Sequence, residues 1–280
     1  MEKVWIVGAK GHLGHALCAL LDSTRYTLLE TDRDTVDVEK LEEVRAYAAA
    51  QAPTVFINCT GFNNESGCEL DPDRAYRVNA IGARNLALAA QDLGAKMIQL
   101  STDDVFGSES HCPYHEFDTP SPSSEYGASK LAGERFVAQF CTRHVIVRSS
   151  WVYGIGNDFV TAVLSAAADE NCPWLAVATD RVASPTSVSE LARMIELFIA
   201  RECPGVYHAV CQGSCSRYDL AAEILRLAGA QGKLSLTPIH DVTDSATSDY
   251  TVLENRMLRL EGLAQPKAWK AALAEYLQQL

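Results

Sequence analysis

The chain has 280 residues, of which 48% are hydrophobic and 21% charged, the balance of a folded soluble protein rather than a disordered one. Lys and Arg number 24 against 36 Asp and Glu, a formal net charge of −12, so no broad basic surface serves DNA, RNA or an anionic membrane, and any phosphate must be held locally. No apolar run reaches the ~18 residues of a membrane span, and the short opening run Val4 to Val7 ends in Gly8 rather than leading a long apolar segment, so neither a membrane span nor a secretion signal is expected.

In chain order, residues 4–7 read as a strand, 13–21 as a helix, 26–29 as a strand and, after a further helix, 55–58 as a strand. Residues 73–93 read as one long helix, 97–100 as a strand, 126–140 as a helix and 144–148 as a strand. This alternation predicts an α/β fold, a Rossmann-type doubly wound parallel sheet with helices on both faces. Beyond 148 the pattern loosens into helices at 159–168, 189–200 and 218–228 and strands at 174–178 and 206–210. The expected organisation is a dinucleotide-binding domain over 1–148. A smaller, mainly substrate-binding region over 149–280 follows, with some elements returning to the first sheet. No internal repeat is visible.

Nine cysteines are scattered, and Cys18, Cys59 and Cys141 sit in apolar runs, as reduced core thiols do, so a cytoplasmic location is expected. His111-Cys112 with His115, and Cys211 with Cys215, each lack a second ligand pair at zinc spacing; no metal is expected.

Gly8-Ala9-Lys10-Gly11-His12-Leu13-Gly14 joins the first strand to the first helix. A dinucleotide pyrophosphate is held at such a turn by backbone N–H groups and the helix dipole. Asp32, ending the second strand 18 residues past Gly14, suits an adenosine ribose hydroxyl, whereas the adjacent Arg33 suits a 2′-phosphate. NADH and NADPH therefore both remain open. The candidate cofactor set is Gly8, Gly11, His12, Leu13, Asp32, Arg33, Asp37, Val38, Cys59, Thr60, Tyr126 and Lys130.

Ser101-Thr102-Asp103 ends the fourth strand, and Tyr126 precedes Lys130 by four positions on one helix, which puts both side chains on the same face. Hydride reduction of a ketone builds negative charge on its oxygen and needs a proton donor there. Tyr126 fits as that donor. Lys130 is expected to lower the phenol pKa and to bond a nicotinamide ribose, and Thr102 to orient the carbonyl. These three are the candidate catalytic residues.

Together these segments resemble the extended short-chain dehydrogenase/reductases, and within them the dTDP-4-dehydrorhamnose reductase family. The likeness spans nearly the whole chain. It includes the glycine loop, Asn58, Asp71-Pro72 through Val78-Asn79-Ala80, Ser101-Thr102-Asp103 with Val105-Phe106, and Tyr126-Gly127 with Ser129-Lys130-Leu131 and Gly133-Glu134. Arg148 with Ser150-Trp151-Val152-Tyr153-Gly154, Ser184-Pro185-Thr186, Gly205-Val206-Tyr207-His208 and Tyr250-Thr251-Val252-Leu253 complete it. The resemblance implies NAD(P)H-dependent reduction of the 4-keto group of a dTDP-linked 6-deoxy sugar. Thr102, Asp104, Trp151, Asn157 and Phe159 are the candidate substrate residues, and a homodimer is the expected assembly. Two alternatives share the fold: a sugar-nucleotide epimerase using the same trio, and a non-catalytic NADP-binding regulatory subunit like the beta subunit of methionine adenosyltransferase.

The chain also departs from the family pattern. Asp104 stands where the family carries an aromatic, and a carboxylate there either repels a diphospho-sugar or selects one bearing a hydroxyl or amine. The segment Cys59 to Glu69, with Ser66, differs in its substrate-facing residues, and Arg181 follows Asp180 where the family has glutamine. Thr247-Ser248 replaces an Arg-Pro pair; if that arginine serves the diphosphate, Arg181 is the candidate to compensate.

Overall fold

The computed structural model describes residues 1–107, 110–154, 156–240 and 250–280; Thr247 and Ser248 lie outside the described residues. Its first half comprises β1 (Glu2–Val7), α1 (His12–Leu20), β2 (Tyr26–Thr31), α2 (Leu41–Gln51), β3 (Val55–Asn58), α3 (Glu65–Leu70), α4 (Pro72–Ala75), α5 (Gly82–Asp92), β4 (Lys96–Thr102), α6 (Glu125–Phe140) and β5 (His144–Ser149). There follow β6 (Val152–Tyr153), α7 (Phe159–Ala168), β7 (Trp174–Ala178), β8 (Val182–Ala183), β9 (Thr186–Ser187), α8 (Val188–Ala200), β10 (Gly205–His208), β11 (Cys215–Ser216), α9 (Arg217–Leu227), β12 (Ser235–Ile239), α10 (Arg256–Leu260) and α11 (Trp269–Leu277).

The six-stranded sheet runs β10-β5-β4-β3-β1-β2, every neighbouring pair parallel. Alternation along β1 shows why both faces are covered. Val4 and Ile6 join Leu17, Ile195 and Phe198 on one side, while Trp5 and Val7 join Phe56, Leu86 and Val137 on the other, as a period of two requires. Strand order reverses at β1, so the loops after β1 and β3 diverge and open a crevice at the carboxyl ends of the strands, where such sheets bind ligands.

Residues beyond 148 contribute to this layer: β10 pairs with β5, and α8 packs its apolar face on the sheet beside α1. The remaining later elements build a second core around Tyr153, Val160, Leu220, Ile224, Trp269 and Leu273, with β7 and β12 forming a small parallel pair. Cys211 and Cys215 are buried within it. The expected single helix over 73–93 is instead α4, a π-helical turn at Tyr76–Ile81, and α5; an i→i+5 bulge leaves no mark on apolar periodicity. The bulge carries Asn79, whose amide accepts from Phe62 N at 2.8 Å and donates to Ser129 Oγ at 2.9 Å, tying the loop after β3 to α6. No helix among the described residues is long and apolar enough to cross a membrane.

Candidate active site

The glycine loop turns tightly between β1 and α1. A Cβ on Gly14 would lie 2.3 Å from the Gly8 carbonyl oxygen, so only glycine lets the helix begin this close to the strand. The first turn of α1 thereby presents unpaired N–H groups to the crevice, and Gly11, His12 and Leu13 line a cavity of about 550 Å³. A second cavity of about 310 Å³ continues from it, sharing Gly11, Cys59, Thr60 and Asn63, and is lined by Gly8, Asp32, Arg33, Asp37 and Val38. Asp32 is held by two backbone donors, Lys10 N at 3.1 Å and Arg33 N at 2.9 Å. Arg33 pairs loosely with Glu39 at 3.7 Å and stays largely in solvent. A helix N-terminus leading to an acid at a strand end, along one continuous groove, fits a dinucleotide. Phe62, from the loop after β3, and Arg74, from α4, also line the second cavity, with the guanidinium 4.4 Å from the ring centroid; neither is among the candidate residues read from the sequence.

Thr102, Tyr126 and Lys130 all line the larger cavity. Their convergence depends on a close approach: a Cβ on Gly127 would lie 2.0 Å from the Asp104 carbonyl oxygen, so glycine lets the first turn of α6 press against the end of β4. Lys130 is buried, and its Nζ donates to the Leu100 carbonyl at 2.8 Å. Burial pulls its pKa down to about 8, opposed by the nearby Glu134 carboxylate. For Tyr126 the direction is opposite to the expectation. Burial first, then the Asp104 carboxylate, push the phenol well above its ordinary value, and a hydrogen bond with Thr102 opposes them without reversing the sign. Desolvation and the carboxylates of Asp104, Asp103 and Glu65 set the sign, so the Lys130 cation does not bring the phenol below its ordinary value. A phenol held protonated is the state a proton donor needs.

Two carboxylates follow Thr102. Asp103 is buried, accepting from Ser150 Oγ at 2.7 Å and Thr251 Oγ1 at 2.5 Å, and burial followed by repulsion from Asp104 pushes its pKa up to about 7. Asp104 accepts from the Thr102 hydroxyl at 2.7 Å. Its pKa is also raised, burial outweighing the Thr102 hydrogen bond and the attraction of Arg217 and Arg181.

Trp151 lines the cavity with a backbone φ of 40°, an outlier for a bulky residue and the kind of strain that gathers at functional sites. Arg217 stacks its guanidinium 3.6 Å from the Trp151 ring and 5.0 Å from Phe159; burial, against the pull of Asp103 and Glu65, brings its pKa down to about 10. Phe159 thus backs the cavity wall rather than lining it, and Asn157 is exposed, outside both cavities. Arg181 lines the cavity as well. Arg217 is not among the candidates read from the sequence, although one signal was present. It is the first residue of α9, a helix capped by Ser216 and Asp219, where the macrodipole disfavours a cation.

The whole chain, residues 1–280, matches the family model of the RmlD substrate binding domain. It is 34% identical over 282 residues to the spore coat polysaccharide biosynthesis protein SpsK of Bacillus subtilis, covering 100% of this chain and 98% of that protein. A dTDP-4-dehydrorhamnose reductase of Streptomyces griseus is 34% identical over 281 residues, covering 97% of this chain and 92% of that one. Among solved structures, a dTDP-4-dehydrorhamnose reductase of Bacillus anthracis in complex with NADP superposes with a TM-score of 0.95 at 35% identity, covering 100% and 99% of the two chains.

Proposed function

Because the chain belongs to the dTDP-4-dehydrorhamnose reductase family, we propose that it reduces the 4-keto group of a dTDP-linked 6-deoxy sugar with NADPH or NADH, as a cytoplasmic homodimer. One observation carries this reading: Thr102, Tyr126 and Lys130 surround a cavity that runs on into the glycine-loop groove. Gly11, His12 and Leu13 would hold the pyrophosphate, Asp32 the adenosine ribose and Cys59 and Thr60 the floor of the groove. When bound, the reduced nicotinamide supplies the hydride. Tyr126 passes its phenolic proton to the ketone oxygen as charge gathers there, and the Lys130 cation steadies the phenolate left behind. Arg217 and Arg181 supply the positive charge that a diphosphate requires in an otherwise acidic chain, and Trp151 walls the sugar.

The test is loss of nicotinamide absorbance with dTDP-4-dehydrorhamnose, NADPH and NADH run separately. A folded protein that binds the cofactor and turns over neither pair sinks the reading in favour of a regulatory role. Two further results are expected. Arg33→Ala weakens NADPH about tenfold, the scale of one exposed charge-assisted contact, and leaves NADH within about twofold; fluorescence titration reads both, and equal effects on the two cofactors would remove Arg33 from the 2′-phosphate site. Since Lys130 is a cation below its pKa and neutral above, kcat/KM falls as pH rises through about 8. A profile flat from pH 7 to about 10, beyond the ordinary phenol range, would refute that role.

A further inference from the structure

The hydrogen bonds at the end of β4 conflict with the task of orienting a ketone. A threonine hydroxyl has one proton to donate. In Thr102 it points to Asp104 Oδ2 at 2.7 Å, with Asp103 Oδ1 more distant at 3.2 Å, while the Thr102 oxygen accepts from Asp104 N at 3.2 Å. As arranged, Thr102 offers the reacting oxygen a lone pair, and the Asp104 carboxylate stands beside the place where negative charge must grow. Arg217 and Arg181 both attract Asp104, yet the Arg217 guanidinium is engaged on the Trp151 ring at 3.6 Å, and Asp104 keeps its short bond to Thr102 at 2.7 Å.

A substrate that brings its own donor resolves the conflict. A substituent on the carbon next to the ketone stands beside the ketone oxygen, so when that oxygen meets Thr102 and Tyr126, the substituent meets Asp104. Resting on the reductase reading above, we infer that Asp104 is a specificity-determining residue. Its carboxylate accepts a hydrogen bond from a hydroxyl or amino group on the carbon adjacent to the ketone, which frees the Thr102 proton to turn onto the ketone oxygen. Only hydrogen bonds are exchanged in this step. A sugar deoxygenated at that carbon leaves Thr102 locked on Asp104 and the oxyanion short of one donor. The penalty therefore falls on kcat, whereas a pocket that merely fitted the hydroxyl would show it in KM.

The experiment compares dTDP-4-keto-6-deoxyhexose bearing the 3-hydroxyl with its 3-deoxy analogue, under NADPH, for the native chain, Asp104→Leu and Asp104→Asn. The native chain is expected to lose about 10²–10³-fold in kcat on the 3-deoxy sugar, the effect of removing one oxyanion donor. In Asp104→Leu the Thr102 proton is free for either sugar, and the ratio of the two kcat values falls below about tenfold; Asp104→Asn, uncharged but similar in shape and still an acceptor, falls between. Native turnover of both sugars at similar kcat, or an undiminished ratio in both variants, overturns the assignment alone. Turnover of neither sugar by the native chain, with NADPH bound, overturns the reductase reading and this inference together.

Discussion

Tyr126→Phe is expected to lower kcat by about 10²–10⁴-fold, the range for removing a positioned general acid, while the NADPH dissociation constant changes by less than about threefold. Protonation of the phenol and the scarcity of other donors set the size of this effect. The phenol is held protonated by burial and by Asp104, so at neutral pH its full population is competent to donate. Neither close neighbour replaces it: Thr102, whether bonded to Asp104 or turned onto the ketone oxygen, is a neutral hydroxyl that offers a hydrogen bond and keeps its proton, and Lys130 Nζ donates to the Leu100 carbonyl. The substitution removes one oxygen and leaves the ring, so the fold and the groove should persist. Single-turnover oxidation of bound NADPH, alongside a fluorescence titration of the cofactor, separates the two quantities. Retention of turnover within about tenfold would take the proton-donor role from Tyr126, since a general acid contributes at least 10²-fold.

What the sequence made legible was local in origin. The glycine loop, Asp32 and Thr102 announce themselves by position, each at the end of an apolar strand where an open parallel sheet places its ligands. Tyr126 and Lys130 share a helix face by spacing alone. Arg217 reaches the Trp151 ring across 66 residues of chain, and such a contact depends on how the second core docks on the sheet, not on either segment. The direction of the Tyr126 shift escaped for a related reason. The attraction of a lysine four residues away can be read from spacing, but the desolvation that outweighs it exists only once α6 has been pressed against β4. The π-helical turn at Tyr76–Ile81 shows the same limit, since apolar periodicity reports which face is buried and not how the backbone bonds. Asp104 was legible as an anomaly, and its geometry with Thr102 turned that anomaly into a statement about mechanism.

Glu134→Gln is expected to cost about 3–5 kcal/mol of stability, the scale for stranding one member of a buried ion pair. Glu134 on α6 accepts two parallel bonds from Arg148 on β5, Nε to Oε1 at 2.9 Å and Nη2 to Oε2 at 2.7 Å, with both side chains only 5% exposed. The amide keeps the volume but answers the guanidinium with a donor on one side and no charge, leaving Arg148 buried against Phe106 without compensation. At about 2–4 °C per kcal/mol for a chain of this size, the thermal midpoint falls by roughly 10 °C. The double variant Glu134→Leu with Arg148→Met, which removes both charges, should recover most of that loss. A midpoint within about 2 °C of the native chain, below the scale of a single kcal/mol, would show that the pair is not stabilising as its geometry implies. The same residue reaches the chemistry through charge. Glu134 lies one helical turn beyond Lys130 and holds its pKa up against burial, so the neutral amide lets Lys130 fall further and moves the alkaline limb of kcat/KM to a lower pH. A merely structural pair would lower the midpoint and leave that limb in place, so a thermal melt and a pH profile on one variant separate support of the fold from support of the catalytic cation.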